Sequence, residues 1–268
     1  MVVFAGQGDV RRSMALLWRA NSPDQPPTGR GGPKPALSVD AIVDAAVAVA
    51  DAAGMTALSM RAVGGRLGRT AMAIYTHVPS KAELVDLMYD HVHAEIPSRY
   101  ETAAGWRAAT ESWAADMWAF YRRHPWVAEV SQARPVLGPY EYTVLDTLIG
   151  VLRSTGLPAL VLRRVVGALL HLVRGLARTA VESRLAATKT GVPDEAWWLT
   201  RAGLLQEVAP DFLDRYRMVA WLETEGASTA VGDAATYLER EAEETLRAGL
   251  AVFLDGVEVA MANSRNQV

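Results

Sequence analysis

Apolar residues recur along most of the chain at the spacing of amphipathic helices, and few stretches alternate as strands do. The first clear run lies between Ser38 and Gly54. Its apolar face carries Ile42, Ala46, Val49 and Ala53. Serine before such a run and glycine after it are common helix ends, so the pattern predicts a helix of about four turns.

Three further helices are predicted at short intervals. Ser59 can cap the second, and Thr70 can cap a third, which lasts about two turns before Pro79. Ser80 and Glu83 form a capping box that opens the fourth. Two helices joined by a tight turn are typical of the helix-turn-helix, whose second helix enters the major groove of DNA. An ordinary three-helix core is the alternative.

The third predicted helix has an inward and an outward face. Ile74 and Val78 are four residues apart and are expected to face inward. The outward residues are Ala71, Met72, Tyr75 and Thr76. In the preceding helix, Gly64 and Gly65 each cost about 0.5 to 1 kcal/mol relative to alanine. Either two helices approach closely there or the segment is soft.

Two motifs flank the predicted turn, LSMRAVGGRLG (58–68) and AIYTHVPSKAEL (73–84). With the helix before them they resemble the DNA-binding domain of the tetracycline repressor (TetR) family, from Leu37 to about Met88. The resemblance implies that Tyr75 and Lys81 contact DNA phosphates, with Thr70 in a similar role, and that Arg61 reaches a phosphate or a base edge. It implies that the bases are read by Ala71, Met72, Ala73 and Thr76. It also implies a backbone contact from His77.

Each of these residues has an ordinary structural alternative. Tyr75 can pack its ring with only the hydroxyl in water, and Lys81 can be a solvated first-turn residue. The two alanines offer only van der Waals contact, for example to a thymine methyl group. Polar base readout would therefore come from Arg61 and Thr76.

Residues 1–36 contain a segment rich in proline and glycine, which predicts a flexible basic arm. Arg30 and Lys34 could lie in the adjacent minor groove of DNA, although a plain linker is equally consistent. Earlier in this segment, Met14, Leu17 and Trp18 share one face of VRRSMALLWRA (10–20). They predict an extra helix that packs on the DNA-binding domain. A membrane-surface helix is the weaker alternative because its apolar stripe is short.

Beyond Ile96 the pattern predicts long helices and no strand. One stripe carries Trp106, Trp113, Met117 and Phe120, and Pro139 begins another helix. The His-Pro-Trp and Leu-Gly-Pro sequences resemble the helical carboxyl-terminal domain of tetracycline repressors. That resemblance implies an effector cavity lined by the stripe, with polar groups from Tyr140, His171, Arg174 and Arg178. A solid aromatic core is the alternative, in which the last three residues pair with each other or with an acid.

The segment from Leu157 to about Ala187 is apolar nearly all round, which predicts burial on two sides. One side would face the protomer and the other a partner, together with the last helix, which opens near Asp233. The predicted dimer interface comprises Val161, Val165, Ala168, Leu172, Leu246, Leu250, Phe253 and Val257. Burial inside one large core is the monomeric alternative.

Composition narrows the function classes. The 268 residues are half apolar and include no cysteine, which favours a globular protein of a reducing compartment, and no run is long enough to span a membrane. The segment from Arg11 to Lys81 contains nine lysines and arginines and four acidic residues. The segment from Ala82 onward contains eighteen lysines and arginines and twenty-five acidic residues. A basic amino-terminal part fits a polyanionic partner. No common catalytic or nucleotide-binding motif occurs, and the five histidines are scattered, so we expect no enzyme, metal or cofactor.

We therefore expect an all-α protein with a basic arm (1–36), a helix-turn-helix domain (37–96) and a helical effector-binding and dimerisation domain (97–268). The predicted function is that of a cytoplasmic, homodimeric transcriptional repressor that binds palindromic operator DNA and is released by a small-molecule effector. Two alternatives remain. One is a small-molecule-binding or scaffold protein with incidental DNA contacts, and the other is an architectural protein that binds DNA without sequence specificity.

Overall fold

The computed structural model describes residues 3–19, 37–226 and 236–265. Apart from two strands of two residues each, the regular elements of the described residues are all helices, which confirms the all-α class. The elements are β1 (Val3–Phe4), α1 (Val10–Leu17), α2 (Val39–Ala53), α3 (Met60–Arg66), α4 (Ala71–His77), α5 (Lys81–His93), α6 (Trp106–Arg123), a 3-10 helix (Pro125–Glu129), β2 (Val130–Ser131), α7 (Pro139–Arg153), α8 (Ala159–Thr190), α9 (Asp194–Val208), α10 (Phe212–Arg215), α11 (Arg217–Glu225) and α12 (Tyr237–Arg265).

Helices α2, α3 and α4 form the amino-terminal domain, which we call the head. Each predicted cap is present. The side chains of Ser38, Ser59 and Thr70 accept backbone N–H groups of α2, α3 and α4, and Ser80 does the same for α5. The head core is closed by the fully buried side chains Ile42, Val43, Val63, Ile74 and Val78. The capping residues predicted from the sequence therefore mark where each of these four helices begins.

Helix α5 joins the head to the rest of the protein, and three of its carboxylates are buried. Glu83 accepts the N–H of Asp9, and Asp86 accepts the N–H of Gly6. Asp90 accepts two N–H groups at the start of α7, both at 2.9 Å. Burial raises the pKa of Asp86 and Asp90, and these N–H groups oppose the rise. Gly138 lies so close to Asp90 that a Cβ there would be 2.1 Å from the carboxylate, so only glycine fits.

Residues 3–19 form a strap that ties α5 to the carboxyl-terminal part of the chain, which we call the body. Helix α1 packs against α5, as the sequence predicts. Strand β1 pairs with β2 in parallel, so the prediction of no strand beyond Ile96 was wrong for these two residues. The indole Nε1 of Trp18 donates to the carbonyl oxygen of Leu137 at 3.0 Å. Arg30 and Lys34 lie outside the described residues.

In the body, α8 packs along α12 and α6. Leu246, Leu250 and Val257 face inward on α12 and are buried within the protomer. They are therefore not available to a partner, and this part of the predicted dimer interface is corrected. The sequence could not distinguish the two sides of α12 because both carry apolar residues. Within the described ranges, no helix combines the length and apolar character needed to cross a membrane.

The head and the body also meet at His124, which is 3% exposed. Its Nδ1 lies 2.9 Å from Asp51 Oδ1 on α2, and its Nε2 lies 3.2 Å from Glu95 Oε2. Trp126 Nε1 donates to the same Asp51 oxygen at 2.8 Å. Desolvation acts to lower the pKa of His124, but the two carboxylates outweigh it, so the pKa is raised. Protonated His124 is therefore favoured in this joint.

We predict that His124→Gln lowers the free energy of unfolding by about 1 to 3 kcal/mol at pH 6, because it removes the charge-assisted hydrogen bond to Asp51 and the ion pair with Glu95. Because the pKa of His124 is higher in the folded state, its protonation stabilises the fold fully at a pH below its unfolded-state pKa of about 6.5. This stabilisation is lost as the pH rises through the folded-state pKa. The difference between the two proteins should therefore shrink from pH 6 to pH 9, measured by urea unfolding. A difference that stays constant over this interval would contradict the assignment.

Candidate DNA interface and effector site

Helix α4 presents a mostly exposed outer face. Met72 is 74% exposed and Tyr75 43% exposed. Thr76 is also exposed, and its hydroxyl donates to the Met72 carbonyl oxygen at 3.2 Å. The Thr70 hydroxyl accepts the N–H of Ala73 at 3.3 Å. This face is short, carries no exposed charged side chain and begins at its own cap, so it can enter a groove without desolvating a charge.

A close backbone contact sets the angle between α3 and α4. A Cβ on Gly64 would lie 2.7 Å from the carbonyl oxygen of Arg69, whereas Gly65 faces open space. Gly68 turns the chain with a φ of 64°. The sequence left open whether the backbone approaches closely at Gly64 and Gly65 or is soft there. At Gly64 the structure shows the close approach.

Four cations surround this turn and helix. Arg61, Arg66 and Arg69 are exposed on α3 and the turn. Lys81 is exposed at the start of α5, with Nζ 3.5 Å from the carbonyl oxygen of Met55. The sequence argument missed Arg66 and Arg69, although their position beside the turn could have pointed to them. Ala71, Ala73 and His77 are half-buried, and the structure leaves their predicted DNA contacts as predictions.

The predicted effector residues on α6 lie in the core. Trp113 is fully buried, and Met117 and Phe120 are each 3% exposed. Trp106 is half-buried at the start of the helix. The indole Nε1 of Trp113 is buried without a hydrogen-bond partner among the described residues.

The structure does not bring the predicted polar residues to one place. Tyr140 lies on α7 against the strap, where it lines a cavity of about 160 Å³ with Trp18 and Asp90. His171 is exposed, with Nδ1 2.7 Å from its own helix at Gly167. Arg178 is exposed and pairs with Glu182 at 2.8 Å. The prediction that these three converge with the α6 stripe is thus corrected, because His171 and Arg178 lie on the exposed side of α8 and Tyr140 lies against the strap.

Arg174 reaches across the body to the 3-10 helix and β2. Its Nη2 donates to the carbonyl oxygens of Ala128 and Val130. Its Nη1 is buried without a hydrogen-bond partner, and no described carboxylate lies within ion-pair distance of the guanidinium. Among the described residues, Arg174 is therefore a half-buried cation that lacks an ion-pair partner and whose Nη1 is shielded from water.

Three aromatic side chains surround this cation and were missed by the sequence argument. Tyr89 and His93 come from α5, and Tyr121 comes from α6. Burial lowers the pKa of His93 to about 4, and the charge of Arg174 contributes to this shift. Burial raises the pKa of both tyrosines, which Arg174 opposes. At neutral pH the ring of His93 is uncharged, so Arg174 is the charged member of this cluster, which we call the buried polar cluster.

The remaining predicted dimer residues lie at the surface or just below it. Val161 and Ala168 are exposed on α8, whereas Val165, Leu172 and Phe253 are half-buried against the core. On α12 the outward apolar residues are Val252 and Val259, which are 72% and 61% exposed. Exposed apolar side chains are therefore present on both helices, and a dimer contact of these helices stays a prediction.

Two family models match the chain. The model "Bacterial regulatory proteins, tetR family" covers residues 42–88, and the model "Tetracyclin repressor-like, C-terminal domain" covers residues 100–261. Together they account for the head and most of the body.

Curated relatives and solved structures agree with these models. The chain is 34% identical over 267 residues to the HTH-type transcriptional repressor DrrR1 of Streptomyces coeruleorubidus, covering 98% of this chain and 91% of the relative. It is 33% identical over 123 residues to an HTH-type transcriptional regulator of Saccharopolyspora erythraea, covering 46% of this chain and 52% of the relative. The fold resembles Streptomyces coelicolor ActR in complex with (S)-DNPA, with a TM-score of 0.64, 21% identity and coverage of 85% and 100%. The chain belongs to the tetracycline repressor (TetR) family of transcriptional regulators.

Proposed function

We propose that the protein is a transcriptional repressor that binds a palindromic operator as a homodimer and is released by a small molecule bound in the body. The exposed face of α4, flanked by four cations, is the observation that carries the DNA-binding part. Family membership supports repression, since DrrR1 is a repressor. The members of this family are regulators rather than enzymes.

In this proposal α4 lies in the major groove. Met72 and Thr76 face the bases, and Tyr75 and Lys81 face the phosphates. The long side chain of Arg61 carries several N–H donors that can contact a base edge. A bidentate contact of arginine with guanine is the commonest specific contact of this kind. Arg66 and Arg69 add sequence-independent attraction to the backbone.

The effector site in this proposal is the buried polar cluster together with the apolar residues of α6. A buried charge without a counter-ion is costly, so a ligand that offers oxygen acceptors to Arg174 would be stabilised there. The unpaired Nε1 of Trp113 is a second donor. ActR, which shares this fold, has been solved with actinorhodin and with (S)-DNPA. Those complexes support a small molecule as the effector here.

The homodimer is proposed on the outward face of α8 and α12. A two-fold pair of α4 helices would read two half-sites about one helical turn apart or more. The exposed valines on both helices supply apolar contact at the axis.

We predict that Arg61→Ala weakens operator binding by about 1 to 3 kcal/mol and relaxes the preference at one base pair per half-site, because it removes a base contact. Lys81→Ala should weaken binding to all DNA alike and reduce the salt slope by about one. Fluorescence anisotropy on operator and scrambled duplexes at several salt concentrations measures both effects.

The matched control is Arg247→Ala, which removes one exposed positive charge from α12 in the body. It should leave both the affinity and the salt slope unchanged. Unchanged binding by the Arg61 and Lys81 variants would refute the assignment of α4 and its neighbours as the reading element.

We also predict that Arg174→Ala keeps operator affinity within about twofold while losing the response to the effector. In the unmodified protein, a coupling of about 1 to 3 kcal/mol gives a 5- to 150-fold loss of operator affinity. An effector is first found by screening apolar metabolites and antibiotics for quenching of tryptophan fluorescence. Operator anisotropy with and without that compound then measures the response.

Arg178→Ala serves as the control, since Arg178 is on the same helix but is exposed and paired with Glu182. It should respond as the unmodified protein does. If Arg174→Ala loses DNA binding and ligand binding to the same extent, Arg174 is a structural residue and the effector site lies elsewhere.

A further inference from the structure

The strap, residues 3–19, contacts the head, α5 and the body. Strand β1 pairs with β2 of the body, and Trp18 Nε1 donates to the carbonyl oxygen of Leu137, which is also in the body. The last described residue of the strap, Arg19, forms an ion pair with Asp40 in the first turn of α2. The strap therefore connects the head to the body by a route that does not pass through α5.

The strap also crosses α5 in close contact. A Cβ on Gly8 would lie 2.5 Å from Cδ of Glu83, so the backbone of the strap passes directly over this carboxylate. On either side of Gly8, the N–H of Gly6 donates to Asp86 at 2.8 Å and the N–H of Asp9 donates to Glu83 at 3.2 Å. Both carboxylates are buried, so loss of these donors would leave them poorly solvated. The strap is thus held at one position along α5.

Apolar contacts hold the strap in the same position. Ala5 and Leu17, one near each end, are 1% and 4% exposed. Helix α1 packs along α5 between them. Four partly buried side chains of the strap pack against the same core, namely Val3, Met14, Leu16 and Trp18. The strap is therefore part of the packed fold where the head joins the body, and it restrains how α5 and the head can tilt.

The relative position of two heads decides which operators a dimer can bind with both of them. One base pair added between two half-sites turns one of them by about 35° about the DNA axis and moves it by about 3.4 Å. Heads that are held at a fixed angle cannot follow this change, whereas heads on looser joints can.

We propose that the strap makes the dimer selective for the spacing between the two half-sites of its operator. This rests on the homodimer and the DNA binding of the proposed function, and it adds the element that determines the spacing. The two heads act as linked binding modules. The effective concentration of the second head at its half-site is high only where the link lets it reach that half-site. A restrained link concentrates the head at one spacing, and a loose link spreads it over several.

The joint at His124 explains why loss of the strap should loosen the head without detaching it. His124 and Trp126 both contact Asp51 on α2, and none of these residues belongs to the strap. Helix α5 also continues from the head into the body. A protein with a damaged strap therefore keeps two connections, and its heads should still bind DNA.

Two variants damage the strap in different ways. Deletion of residues 2–8 removes β1 and the Gly6 donor but keeps Asp9, the cap of α1. Gly8→Val places a side chain where the Glu83 carboxylate lies. Ala15→Val is the matched control, because it adds a similar side chain at an exposed position of α1. Fluorescence anisotropy then measures binding to the inverted repeat selected from random DNA and to duplexes with one base pair added or removed at its centre.

The unmodified protein and the control should lose about 100-fold or more in affinity when the spacing changes, whereas both strap variants should lose about tenfold or less. The readout is a ratio within each protein, so partial unfolding, which lowers the active concentration for every duplex alike, cancels. A 100-fold loss in both strap variants, or an equally small loss in the unmodified protein, would overturn the proposal. A pool that yields no inverted repeat would refute the proposed function and the strap's role with it.

A measurement without DNA tests the strap separately. The chain contains no cysteine, so Ala53→Cys gives one spin-label site per protomer, exposed at the end of α2 in the head. Pulsed electron paramagnetic resonance on the dimer measures the distribution of distances between the two heads. Deletion of residues 2–8 should broaden this distribution, and an unchanged width would overturn the proposal. Absence of any dipolar signal in the unmodified strap background would instead refute the homodimer.

Discussion

Three buried carboxylates on one helix determine how the parts of this protein are joined. A buried carboxylate is costly unless it accepts hydrogen bonds, so Glu83, Asp86 and Asp90 each need backbone donors. The strap supplies them to the first two, and the start of α7 supplies them to the third. Head, strap and body therefore meet on α5. The strap and α7 cannot shift along this helix without breaking hydrogen bonds that water would not easily replace.

The same helix connects the two proposed binding sites. Its first residue, Lys81, belongs to the proposed DNA interface, and Tyr89 and His93 near its other end belong to the buried polar cluster. His93 lies twelve positions after Lys81 on the helix, a rise of about 18 Å. In the proposed mechanism a ligand beside Arg174 displaces one end of α5 and thereby changes the spacing of the two heads. The ligand releases DNA only to the extent that it binds more tightly to the protein whose heads are spaced wrongly for the operator. Operator DNA must then weaken ligand binding by the same factor.

Local signals in the sequence were enough to predict the head, whereas long-range pairing was not. Ser59, Thr70 and Ser80 each act within three residues, so their capping roles could be predicted without the fold. The partners of Asp86 and Asp90 lie 50 to 80 residues away, and nothing near either residue indicates them. The inward side of α12 was mistaken for the dimer face because Leu250 and Val252 are equally apolar. The sequence also singled out Arg174 as a cation on an apolar helix, and its role at an effector site stays a prediction. Its neighbours on α8 could not be sorted into buried and exposed without the crossing angle with α6.

The most direct test of the account is selection of DNA from a random pool by the purified protein, followed by sequencing at a fixed salt concentration. A homodimer with α4 in the major groove predicts enrichment of an inverted repeat whose half-sites lie about one helical turn apart or more. Retention without enrichment of any sequence would indicate a non-specific DNA-binding protein, and enrichment of a single unrepeated site would exclude the two-fold pair of heads. Either outcome would contradict the account.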